Sequence, residues 1–168
     1  MAVIGADPIP GAPAVARAAL DAHLLKVLRG QSLEEAGWVR PDPLTLLIPL
    51  VSELPTGERH DYLLRLQFGY YPEWPPSAQF VNPETKRYAY PQDVSWLPRI
   101  EGTPEIQVHT NYGAVQQLLC CSLTLEFYLV RHGVEEKHLW DAGRMNFGAT
   151  LHAIRRGLGP EFYRGRQK

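Results

Sequence analysis

The chain is poor in the features that mark several large protein classes. It has only two cysteines, Cys120 and Cys121, and because they are neighbours they do not make a disulfide framework. They read as free thiols. There is no basic excess: 17 Lys and Arg stand against 18 Asp and Glu, for a net charge of −1, which argues against a general phosphate-backbone binder. Long apolar runs are missing too. The longest apolar-leaning stretch, Leu118 to Val130, is broken by Ser122, Thr124 and Glu126 and falls well short of the roughly 20 residues a bilayer requires. Met1 to Gly11 has neither a basic start nor an apolar core, so no secretory signal is expected and the cytoplasm is the expected compartment. No repeat or low-complexity tract is present.

What is present suits one compact domain. The chain has 168 residues, 45% of them apolar, enough to bury roughly 70% of its unfolded surface without disulfide or metal. From Pro13 to Arg29, Leu20, Leu24, Val27 and Leu28 recur at helical spacing, with Pro13 suited to a first turn and Gly30 to a stop. Leu44 to Val51 and the alternation of Tyr62, Leu64, Leu66 and Phe68 predict a hairpin turning at Pro55-Thr56-Gly57. A third strand is expected over Ser77 to Val81, after a segment that Pro72, Pro75 and Pro76 make rigid, with Trp74 either exposed or packed upon it.

Residues 82–115 carry no sustained period and read as a long loop, a kind of segment that often carries function. Leu123, Phe127 and Val130 fit a short helix ending at Gly133, although alternation at Leu123, Leu125, Phe127 and Leu129 fits a strand as well. Phe147, Leu151, Ile154 and Leu158 predict a C-terminal amphipathic helix stopped by Gly157, Gly159 and Pro160. The expected fold class is α+β: an antiparallel meander sheet flanked by an N-terminal helix and C-terminal helices. Its expected bounds are a flexible stretch 1–11, a single domain 12–162 and a solvated basic tail 163–168 with Arg164, Arg166 and Lys168.

The segment Tyr71 to Val81 resembles the hallmark of ubiquitin-conjugating enzymes, where Tyr-Pro and Pro-Pro pairs precede a strand bearing an aromatic. His109-Thr110-Asn111 is similar to that family's His-Pro-Asn signature, and Cys120, preceded by the apolar Leu119, follows in the family's order. Cys120, Thr124, Glu126 and Phe127 fit a Cys-x-x-x-Thr-x-Glu-aromatic pattern of the prokaryotic branch. Three departures stand out: Thr110 replaces the proline, the spacer from Asn111 to Cys120 is long, and only Trp140-Asp141 stands loosely for the Trp-Ser-Pro element.

The resemblance implies a transferase that takes a ubiquitin-like protein from an activating enzyme as a cysteine thioester and passes it to a lysine amine. It implies no metal and no organic cofactor, and membership in a bacterial pathway such as antiphage defence. Cysteine suits the task because its thiolate is nucleophilic near neutral pH and the thioester stays reactive toward amines. A strong base beside the thiol would waste the intermediate on water, and none is evident. The alternative function on the same fold is a catalytically inactive module that binds a ubiquitin-like protein or an activating enzyme.

Each site residue has a bland counterpart. Cys120 is the expected nucleophile, with Cys121 as alternative and a buried small hydrophobe as the ordinary fate of either. His109 serves as a structural hydrogen-bonder or as a proton shuttle. Asn111 either stabilises the tetrahedral oxyanion or caps a turn, and Asp141 either orients the attacking amine's proton or caps the helix starting there. Tyr112 and Trp96 either line the site or pack. The resemblance also suggests that the N-terminal helix docks the activating enzyme through a face bearing Arg17, Asp21, Lys26 and Arg29, which reads equally as a solvated face. A cysteine hydrolase with His109 or His132 as base, and zinc held by the cysteines, are the remaining readings.

Overall fold

The computed structural model describes residues 7–102, 105–131 and 139–168. Helix α1 (Pro13–Leu28) starts on the expected proline and ends where Arg29 and Gly30 enter the left-handed region, at φ of 50° and 90°. Its buried stripe, Ala16, Leu20, Leu24 and Leu28, repeats every four residues and lies on the sheet.

That sheet is an antiparallel meander of β1 (Val39–Asp42), β2 (Thr45–Glu53), β3 (Arg59–Gln67) and β4 (Ser77–Val81) in chain order. The register aligns Leu46 with Leu66 and Ile48 with Leu64, and then Leu66 with Ala78 and Leu64 with Phe80. Period-two alternation therefore becomes two continuous apolar rows across the sheet, all fully buried, in the same core as the leucines of α1. The β2–β3 hairpin turns where expected, with the Gly57 amide donating to Leu54 O at 2.8 Å and Gly57 at φ 87°.

Two small sheets and two further helices complete the α+β architecture. β5 (Pro98–Ile100) pairs with β8 (Tyr163–Arg166), and β6 (Gln107–His109) pairs with β7 (Leu118–Cys120). Helix α2 (Leu125–Leu129) is a single turn and a half, and α3 (Phe147–Gly157) is the expected amphipathic C-terminal helix. No helix among the described residues is long and apolar enough to cross a membrane.

Several expectations need correction. The region 82–115 is not one structureless loop: it holds β5, β6 and two short 3-10 turns, elements of three residues that are too brief to display a period. Helix α2 stops at Leu129, and Gly133, its expected end, lies outside the described residues, as does His132. In the basic tail 163–168, Arg164 and Lys168 are exposed as expected, but the segment is tied into the fold. Tyr163 is fully buried in β8, its hydroxyl bonding Tyr62 Oη at 2.5 Å and His60 Nδ1 at 2.6 Å.

Arg166 lies over the rings of Trp96 at 4.7 Å and Tyr62 at 5.3 Å and donates to Asp61 O at 2.9 Å, so its charge is spent inside the fold. The same contact assigns Trp96 to packing. Of the stretch 1–11, residues 1–6 lie outside the described residues; Asp7 pairs with Arg131 at 2.8 Å, and the Gly11 amide donates to Gly69 O at 3.2 Å.

Candidate functional site

The two cysteines stand at the end of β7, and strand geometry sends them in opposite directions. Leu119 and Cys121 enter the main core, Leu119 fully buried and Cys121 nearly so. Cys120 points the other way and is half-buried. Burial pushes the Cys121 thiol up to about 11, against the pull of the Leu123 amide; burial also raises Cys120, in the same direction. Both sulfurs therefore rest as neutral thiols at neutral pH, and only Cys120 is reachable.

The β6–β7 ladder puts His109 on the same hairpin as that thiol. Gln107 pairs with Cys120, Val108 with Leu119 and His109 with Leu118. Cross-strand partners share a face, so Gln107, His109, Leu118 and Cys120 form one side of the hairpin. His109 is diagonal to Cys120, about 7–8 Å away at the backbone by strand spacing, too far for a backbone-fixed contact with the sulfur. The His109 ring packs edge-on against Tyr112, centroids 5.1 Å apart, which assigns Tyr112 to the hairpin loop beside the histidine.

Thr110 and Asn111 begin that loop. The Thr110 carbonyl accepts from the Tyr88 hydroxyl, an anchor that holds the chain where the family signature has proline. The Tyr112 amide donates to Gln116 O at 2.5 Å, and Gln116 sits in the left-handed region at φ 54°. Asn111 is exposed and makes no side-chain hydrogen bond among the described residues, so its amide is committed neither to a turn cap nor to a structural partner.

Asp141 does not cap the last helix. Asn146 does, accepting from the Gly148 amide at 2.8 Å, while Asp141 Oδ1 accepts from the Gly143 amide at 2.9 Å in a tight turn five residues earlier. The turn is nevertheless tied to the cysteine loop. The Tyr128 hydroxyl donates to Ser122 O at 2.8 Å and accepts from the Trp140 amide at 2.8 Å, so Trp140-Asp141 lies within two hydrogen bonds of the residue after Cys121. Trp140 is fully buried and donates from Nε1 to Pro72 O at 2.9 Å, which joins the proline segment to the same corner. Trp74 is packed there with Leu125, Tyr70 and Tyr128.

Three buried polar residues hold the thiol hairpin in place, and the sequence reading passed over their role. Gln117, fully buried, completes the outer edge of β4: its Oε1 accepts from the Phe80 amide and its Nε2 donates to Phe80 O, both at 2.8 Å. Glu126 takes the neighbouring edge positions, accepting from the Ser77 hydroxyl and from the Ala78 amide at 3.2 Å. Burial pushes its carboxyl above the usual carboxylate range, against those bonds and the Arg65 charge. Thr124 Oγ1 donates to Leu119 O at 2.7 Å and is also 2.9 Å from Cys121 O, closing the turn after the cysteines. Thr124 and Glu126 are the polar members of the quoted motif, whereas a glutamine before an apolar run has no signal of its own.

On α1, Arg17, Asp21, Lys26 and Arg29 are all exposed. Asp21 is engaged by Arg40 at 2.6 Å and by Arg17 at 3.8 Å, so the first half of that face is neutralised within the chain. Among the described residues, no group of three or more His, Cys, Asp and Glu side chains is placed to hold a metal ion. Comparison with known protein families, with curated proteins and with solved structures returned no match.

Proposed function

We propose that the chain is a ubiquitin-conjugating-like transferase of a bacterial modification pathway, working in the cytoplasm on a fold of the ubiquitin-conjugating type. The observation that carries this reading is the β6–β7 ladder, which sets the reachable thiol, Cys120, on the same hairpin as His109-Thr110-Asn111. Cys120 gives up its thiol proton to solvent, and the thiolate attacks the carbonyl carbon of the activating enzyme's thioester, forming a new C–S bond as that enzyme's thiolate leaves and takes up a proton. A lysine amine then attacks the same carbon. An amide forms, the C–S bond breaks, and the amine's proton passes to solvent or to Asp141.

The raised thiol fits a carrier that must not hydrolyse its own intermediate, since no described cation or base holds Cys120 ionised at rest. The exposed Asn111 amide is free to donate to the tetrahedral oxyanion. These same two features also support a second reading, an inactive docking module of the same fold, because an unactivated thiol beside an uncommitted amide needs no chemistry to persist.

A charging assay separates the two. The protein is incubated with a candidate activating enzyme, its ubiquitin-like protein and ATP, and read by intact mass and non-reducing gel. A reductant-sensitive adduct of one modifier mass, lost in Cys120→Ser and kept in Cys121→Ser, is the expected result. Loss only in Cys121→Ser would overturn the assignment of the nucleophile. Absence of any adduct with a partner shown to bind would sink the transferase reading in favour of the docking module.

A further inference from the structure

A recess of about 740 Å³ opens between the C-terminal end of α1 and the outward stripe of α3, and none of its lining belongs to the thiol hairpin. Lys26 and Arg29 reach it from α1, and His152 and Arg155 from consecutive turns of α3, with the Gln31 amide at its rim. No carboxylate lines it. That is unusual for this chain, whose overall charge is −1.

Six of the chain's other cations are paired with carboxylates, while others, Arg166 among them, are held by rings or backbone. Arg17 and Arg40 pair with Asp21, Arg59 with Asp61, Arg99 with Glu101, Arg131 with Asp7 and Arg156 with Glu105. Among the described residues, Lys26, Arg29 and Arg155 have no carboxylate partner. Helix dipoles account for Lys26 and Arg155, which lie in last turns. They do not account for the convergence of cations from two helices on one concave surface. Partial burial also pulls the Arg155 guanidinium below its ordinary value.

The size falls in the range of small-molecule sites. The lining holds no Phe, Tyr or Trp, and the single imidazole of His152 is its one ring, so no aromatic clamp is built there for a nucleobase. We propose that the recess between α1 and α3 binds a small polyphosphate-bearing anion, held through its phosphate oxygens by Lys26, Arg29 and Arg155. Recognition is of the phosphate chain, and any organic group it carries projects into solvent. The proposal does not depend on the transferase reading.

Isothermal titration of the intact protein with tripolyphosphate, pyrophosphate and ADP at low salt tests it. Saturable binding is expected, with ADP no tighter than pyrophosphate and with affinity falling as salt is raised. Lys26→Gln and Arg155→Gln should each weaken tripolyphosphate by about tenfold, because each removes a charge-assisted contact. Both side chains are exposed, and circular dichroism verifies that the variants fold. Arg59→Gln, on the far strand β3, should change nothing. No saturation at millimolar tripolyphosphate, equal weakening by Arg59→Gln, or saturable binding of a glutamate-rich peptide without binding of tripolyphosphate would each overturn the proposal.

Discussion

Replacing Gln117 by leucine tests how the thiol hairpin is held to the sheet. The side chain is fully buried and both of its amide atoms bond the Phe80 backbone at 2.8 Å. Leucine matches the volume and removes both partners, leaving a buried N–H and a buried C=O unsatisfied. Each costs about 1–3 kcal/mol, or about 2–6 kcal/mol for the pair. The added apolar surface recovers about 1–2 kcal/mol, so the net loss lies between about 0 and 5 kcal/mol with a midpoint of about 2–3 kcal/mol, from a total of about 5–15 kcal/mol. In urea this moves the unfolding midpoint down by about 1–2 M.

The loss should also be local. Gln117 directly precedes β7, so Cys121 should gain alkylation by iodoacetamide in native buffer, measured by peptide mass. A destabilisation below about 0.5 kcal/mol with Cys121 still protected would refute the claim that this amide fastens the hairpin.

Three further outcomes follow from the same contacts. In the unmodified protein iodoacetamide should label Cys120 alone, at a rate that climbs only as pH rises past the ordinary thiol range, because burial raises both thiols and Cys121 is enclosed; labelling of Cys121 first would contradict the strand geometry. Glu126 has its folded-state value raised by burial, so the folded protein holds that proton more tightly than the unfolded chain. Stability is then lost as pH rises from the ordinary carboxyl value through the folded one. Glu126→Gln keeps an acceptor and should flatten that decline in urea titrations run upward in pH from the ordinary carboxyl range; superimposable profiles would show that the carboxylate is compensated. Deleting residues 163–168 should unfold the protein by circular dichroism instead of trimming a tail, since it removes β8 and the buried Tyr163; a native spectrum and unchanged melting would refute this.

The elements legible in the sequence are those long enough to repeat a pattern. The apolar stripe of α1, the alternation in β3 and the period of α3 each span several turns or pleats, and their extents fell within a few residues of expectation. Strands β5 to β8 run three or four residues, so nothing periodic marks them, and what makes them strands is a partner distant in sequence. Asp141 and Asn146 show the same limit at the scale of a cap: both are good candidates, and only the start of α3 at Phe147 decides between them. Which of Cys120 and Cys121 is reachable follows from the parity of β7, but β7 itself was hidden inside an apolar run readable as helix or strand.

The side chains that finish the outer edge of β4 bear on how this molecule behaves in a crowd. A free strand edge is a template on which another chain can add itself. Here the Ala78 and Phe80 amides on that edge are already taken by Glu126 and Gln117. The opposite edge, β1, is four residues long and carries Arg40, Pro41 and Asp42. A meander that would otherwise invite strand addition at both ends is thus closed by glutamine and glutamate at one and by proline and charge at the other. The Gln117→Leu protein, besides being weaker, should lose this protection and begin to self-associate as its concentration is raised.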